Sequence, residues 1–183
     1  MSNVSAAKPG VGGGVFVAPA GTTLPTDAVT ALNSAYKSVG YISDEGVTKS
    51  TSLETSPVHA WGGDLVAVLG SKKTETFRFR MLDPDNLYAL GLAYGQATGN
   101  LSDGIVIKST ADVFTPKTFV LSTLLDNGIV QRVVIPSGVV SAVGDVQYVG
   151  TAVESCEVTI TGIADEAGVA SYDYRKTASV TPT

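Results

Sequence analysis

The sequence predicts a mainly β protein: a β-sandwich or barrel with one packed helix. Three observations support this. Charged residues make up only 16% of the chain, and Ser, Thr, Gly and Val stand in their place, a composition that favours strands and turns. Short apolar or alternating segments recur between turns rich in Gly, Asp and Pro. A single segment, after Asp83-Pro84-Asp85, has firm helical spacing. Roughly nine or ten strands and one helix fit a sandwich with a helix resting on its sheet. The 183 residues, 44% of them hydrophobic, suffice for a single domain over 1–183 with a real core.

Residues 1–14 are small, polar and Gly-rich and read as a flexible arm. Val15-Phe16-Val17 is a short strand closed by Ala18-Pro19. Thr26 or Asp27 caps a short helical turn carrying Ala28, Val29, Ala31 and Leu32. Lys37 to Ile42 is a strand, and Asp44-Glu45-Gly46 is a turn. From there to residue 64 the chain is polar, with the run Lys49-Ser50-Thr51-Ser52, then Pro57, His59, Trp61 and Gly62-Gly63. The whole inter-strand loop spans about 43–64, longer than compact domains usually carry without a purpose.

Leu65 to Leu69 is apolar on both faces, as in a strand covered on both sides. Thr74 to Met81 alternates strictly: Phe77, Phe79 and Met81 point one way, Thr76, Arg78 and Arg80 the other. A one-residue slip would bury both arginines, so the register is well specified. Asp83 as N-cap, Pro84 at the first position and Asp85 in the first turn start a helix over about 83–95. Leu87, Leu90, Gly91 and Tyr94 make its apolar stripe and Gly95 its stop.

Strands then follow at 104–108, 117–125 and 129–135, the last two joined by Asp126-Asn127-Gly128, a strong hairpin signal. Pro136-Ser137-Gly138 breaks the strand. Residues 139–143 and 147–149 flank a turn at Gly144-Asp145. Glu154 to Gly162 alternates, with Cys156, Val158 and Ile160 on one side. Val169 to Arg175 is the last strand, with Tyr172 and Tyr174 on one face, and 176–183 is a polar arm.

Composition excludes several functions. Twelve basic against seventeen acidic residues give a net charge of −5, and no basic cluster exceeds Lys72-Lys73, so the chain is a poor candidate for gripping phosphate backbones. One cysteine rules out an internal disulfide framework. The N-terminal residues lack the basic and apolar regions of a signal peptide, and no apolar run nears the ~20 residues that span a bilayer. A reducing cytoplasm is the expected site of synthesis.

No constellation for catalysis, cofactor binding or metal binding emerges. His59 is the single histidine and has no carboxylates at ligand spacing. Cys156 falls on the apolar face of its strand, the place of an inert thiol rather than a nucleophile. The acidic pairs Asp44-Glu45, Asp83/Asp85 and Asp165-Glu166 sit at turns or a helix start, where capping accounts for them. The Gly10–Gly14 run lacks the Lys-Ser/Thr of a phosphate loop. Trp61 stands apart. A lone Trp in a long loop fits an interface anchor better than a core one, because Trp is enriched at binding hot spots.

The segment VGYISDEGVTKSTSLETSPVHAWGGDLV, the alternating strand with Glu75 and Phe77, and the helix LDPDNLYALGLAYG stand in an order that resembles the major tail protein, or tail tube protein, of long non-contractile-tailed bacteriophages. The Asp-Asn-Gly hairpin, Pro136-Ser137-Gly138 and the closing strands continue the resemblance over residues 38–175. It implies a virion protein of the tail, assembled in the host cytoplasm. The fold would be a β-sandwich subunit forming hexameric rings that stack into a hollow tube. The genome would pass through the lumen without specific binding. The implied partners are other copies of the chain and the tape-measure, tail-tip and tail-terminator proteins; no cofactor is implied.

The residues themselves fit an assembling protein. Exposed sheet edges endanger a monomer and serve an assembler, and ring closure pairs them. The two segments that are apolar on both faces, Leu65–Leu69 and Lys117–Leu125, suggest burial by a neighbour as well as by the core. The expected contact residues are Asp44, Glu45, Lys49, Glu54, His59, Trp61 and Asp64, all in the long loop. The competing reading is a non-catalytic binding module on a particle surface, carbohydrate-binding or adhesin-like. Aromatic residues, the usual sugar platforms, are only 7% of the chain.

Overall fold

A computed structural model describes residues 6–10, 14–109, 114–125, 127–146 and 154–177. Within them lie eleven strands and one helix. In chain order they are β1 (Ala7–Pro9), β2 (Val15–Pro19), β3 (Lys37–Ser38), β4 (Ile42–His59), β5 (Leu65–Met81), α1 (Leu87–Tyr94), β6 (Gly95–Asn100), β7 (Gly104–Ser109), β8 (Lys117–Leu125), β9 (Ile129–Val143), β10 (Cys156–Ile163) and β11 (Tyr172–Thr177). The fold is mainly β with one helix, as the composition predicts. Nine strands form one antiparallel sheet in the order β3-β2-β8-β9-β10-β5-β4, with β1 beside β8 and β11 beside β9. The hairpin β6–β7 forms a separate two-stranded sheet.

The sheet folds over on itself. Val15 and Val17 of β2 share a buried cluster with Phe77, Phe79 and Met81 of β5, although three strands separate β2 from β5 in the ladder. The long strand β9 makes the turn possible: Ile129–Val134 pairs with β11, and Ser137–Val143 pairs with β10. Register shifts at Thr159/Ile160 and at Lys117/Phe119 add the local twist that bends a sheet into a sandwich. The strict alternation of residues 76–81 is realised, with Phe77, Phe79 and Met81 buried and Arg78 and Arg80 outward beside Glu157.

A second apolar cluster covers the opposite face of β8 and β9. Ala18, Tyr36, Val120 and Val134 are buried there beneath Leu24, Leu32, Tyr172 and Tyr174. The two tyrosine rings stack at 6.2 Å between centroids. The covering segment is held by Arg132, whose Nη1 donates to the carbonyls of Asp27 (3.0 Å) and Thr30 (2.8 Å). The double-faced apolar strand at 117–125 is therefore covered on both sides by this chain itself.

Several boundaries differ from the sequence reading. The stretch 43–64, expected as a loop, is mostly strand: β4 runs to His59, and only residues 60–64 turn. A two-stranded ribbon exposed on both faces has no hydrophobic period to betray it, and Pro57 is tolerated because β4 is an edge strand with one row of N–H groups facing outward. The predicted strands 65–69 and 74–81 are one strand. The helix starts later than Asp83: Asn86 is its N-cap, with its side-chain oxygen accepting from the N–H of Tyr88 (2.9 Å) and of Ala89 (3.2 Å). Asp83-Pro84-Asp85 form the turn before it. The stop at Gly95 is as expected.

Asp27 does cap residues 28–30, through bonds to the N–H groups of Val29 and Thr30, but the chain bends there without forming a helix. Pro136-Ser137-Gly138 does not break β9; the Pro136 carbonyl accepts from the Thr118 hydroxyl at 2.9 Å. The Asn127-Gly128 turn joins β8 and β9 as predicted. In the N-terminal arm, residues 7–9 add a short strand to β8. The strand expected at 147–149 lies outside the described residues, as do residues 1–5 and 178–183.

Candidate assembly surface

The ladder from Thr48↔Arg78 to His59↔Leu65 builds a long two-stranded arm. Every residue from 48 to 70 is exposed, so the arm stands clear of the sandwich. At its tip Ala60 donates to the Asp64 carbonyl and Gly63 to the Ala60 carbonyl, each at 2.8 Å, and Gly63 takes a φ of +90° that suits glycine. Trp61 at this turn is fully exposed. Leu53, Leu65, Val66, Val68 and Leu69 are each more than half exposed, and Val58 is partly so. Four of these lie on one strand within five residues, at both odd and even positions, so both faces of the arm are apolar. Single exposed leucines are ordinary, but a contiguous set rimmed by polar residues marks an interaction surface.

The root of the arm is fixed electrostatically. Glu75, 8% exposed, lies 2.9 Å from the ammonium groups of both Lys49 and Lys73 and accepts from the Ser171 hydroxyl at 2.6 Å. Lys49 also donates to Ser171 at 2.9 Å and sits 5.4 Å from the centre of the Phe77 ring. Burial pushes the Glu75 carboxyl up, but the Ser171 hydrogen bond and the two ammonium groups outweigh it and hold its pKa at about 2. A carboxyl lowered on folding adds stability that is full above its unfolded value near 4.5 and disappears as pH falls toward 2. Glu75→Gln should therefore cost on the order of 1–2 kcal/mol at neutral pH, less than the full shift implies because water screens the half-exposed lysines. Urea unfolding across pH 7 to 2 checks this: the variant's curve should be flatter below pH 5, and a parallel curve would remove Glu75 as the acid-sensitive group.

The seven predicted contact residues spread along the whole arm. Asp44 and Glu45 lie at its base, where the register jumps from Ile42 to Val47. Lys49 is engaged within the subunit, as described. Glu54 stands midway, opposite Lys72 in the ladder. His59, Trp61 and Asp64 come together at the tip. Trp61 is the one large apolar residue among the seven; Leu53, Val58, Leu65, Val66, Val68 and Leu69 are not among them, although Leu65–Leu69 was read as covered by a neighbour as well as by the core. Their signal was a double-faced apolar strand, which reads the same whether the cover is the chain's own core or another molecule.

Cys156 is partly buried, and that burial raises its thiol pKa. Among the described residues, no group of three or more His, Cys, Asp or Glu is placed to hold a metal ion, and no helix is long and apolar enough to cross a membrane.

The family model of the phage tail tube protein matches residues 2–178. The chain belongs to the phage tail tube protein family. Membership makes it a structural component of the virion tail, and it gives the apolar arm a context: tail tube proteins self-assemble into a tube. A comparison with curated proteins returned no match.

Proposed function

We propose that this chain is the repeating subunit of a hollow tail tube, with copies closed into hexameric rings, rings stacked through their arms, and the genome delivered through the lumen. The observation that carries this is the β4–β5 arm, which exposes apolar side chains on both faces with no cover from the described residues of its own subunit. A surface of that kind marks an interaction site, and the family supplies copies of the chain as the partner. Among the described residues β4 is an edge strand, so its outer side offers a further row of backbone groups for a neighbour. A net charge of −5 suits a conduit for DNA, because like charges keep the polyanion from sticking. The sixfold ring rests on the resemblance in sequence. The proposed further partners are the tape-measure, tail-tip and tail-terminator proteins, at the lumen and the two ends.

Electron microscopy of the concentrated full chain, with and without isolated tail tips as nucleators, tests the reading. Stacked rings with sixfold end views are the expected result. Persistent monomers under both conditions would overturn it, and another symmetry would correct the ring number.

A further inference from the structure

A cavity of about 940 Å³ opens between the root of the arm and the β8–β9 pair. Its floor is apolar, lined by Ile42, Val47, Phe77, Leu121 and Val133, and Tyr41 stands exposed at its rim. Three cations line it and each is engaged: Lys49 holds Glu75, Arg175 holds Asp173 at 2.8 Å, and Lys8 has a partner as well, while Asp44 and Glu45 lie on the arm side. Gln131 also donates to Asp173, at 2.9 Å. A hollow this large, with an apolar floor and rim cations matched from within, favours an apolar guest over an ion.

The guest cannot be the chain's own arm. From Lys49↔Phe77 at the cavity to His59↔Leu65 at the tip the ladder runs ten residues, which places Trp61 about 30 Å away. The geometry points to a knob-and-socket contact between copies: the tip of one arm, Trp61 flanked by Val58 and Leu65, seats in the cavity of the next subunit. This rests on the tube-subunit reading above. Each copy gives one tip and receives another at a different place on its surface, so the contact is heterologous. Such contacts close into rings or propagate as helical stacks. A tip-to-tip contact would stop at two copies.

Crosslinking of paired cysteine variants tests the contact. On a Cys156→Ser background, one pool carries Gly62→Cys, which leaves Trp61 in place, and a second carries Tyr41→Cys. A control pool carries Ser141→Cys, on an exposed part of β9. The pools are mixed as full chains, assembled and treated with a short bis-maleimide. Docking brings the Gly62 and Tyr41 positions to high effective concentration, so their mixture should give covalent dimer on the order of 10-fold above either pool alone, with the Ser141 mixture at background. Self-crosslinking of the Gly62→Cys pool, or tubes that form without the Gly62–Tyr41 product, would overturn the socket while leaving the tube subunit standing. Neither tubes nor product would overturn both.

Discussion

Replacing residues 54–72 with Asn-Gly should abolish tube formation and leave the subunit folded. The excision is set by the ladder. Leu53 and Lys73 already stand opposite each other, and an Asn-Gly pair closes two such positions as a tight hairpin. The Lys49–Glu75–Lys73 cluster at the root is kept. No described residue within the excised segment is buried, so unfolding free energy should change by less than about 1 kcal/mol. What is lost is the apolar surface of the arm. Each large side chain covered by a neighbour contributes about 1.5–3 kcal/mol before ordering costs, repeated at every subunit. Trp61→Ala should weaken assembly in the same direction without changing the melting transition. Size-exclusion chromatography, electron microscopy and calorimetry report the outcomes. Tubes of normal length from the shortened chain would show that the arm is not the connector. Loss of a cooperative transition would show that it belongs to the fold. The wider deletion of Ser43–Asp64, natural if the segment were a loop, is a poor test, because it also removes Val47 from the core and Lys49 from Glu75.

The difference between those two deletions shows where the sequence was readable. Phe77, Phe79 and Met81 announced a half-buried strand because one face was apolar and the other charged, a contrast that water enforces. Asn127-Gly128 announced its hairpin because few residue pairs satisfy that turn. The arm carried neither kind of signal. Its β4 half, VTKSTSLETSP, is polar on both faces, and its β5 half, LVAVL, is apolar on both, so neither has a period. Backbone pairing between them formed the ladder, and pairing leaves no trace in hydrophobicity. Capping was half legible for a similar reason. Asp83 and Asn86 both suit an N-cap, and the choice fell to Asn86, whose amide also donates to the Ser38 carbonyl at 3.1 Å, a contact 48 residues away in the chain. The apolar residues of the arm could be recognised as apolar from the sequence, but what covers them depends on a second copy.

Phe119→Ala should be the most damaging single truncation in the core, at about 3–5 kcal/mol. The ring is 1% exposed in the bend where β8, β9 and β10 meet, and the site cannot collapse easily because strands enclose it. Gly138 is shaped to that ring. A Cβ on Gly138 would lie 2.9 Å from Phe119 Cδ2 and 2.8 Å from Ile160 Cγ2, closer than carbon atoms pack. Gly138→Ala should therefore cost about 1–3 kcal/mol by overpacking. The two changes are complementary, since removing the ring vacates one of the two places the new methyl would strike. The double variant should be less destabilised than the sum of the singles by roughly 1 kcal/mol, the part due to Ile160 remaining. The arm-shortened chain is the proper host, because assembly would otherwise add its own stability to every measurement. Urea unfolding of the four proteins closes the cycle. Strictly additive costs would mean that β9 moves away from the ring when Gly138 is substituted, and that the bend at 136–138 is held by backbone pairing and the Thr118–Pro136 bond rather than by the fit of Phe119 against Gly138.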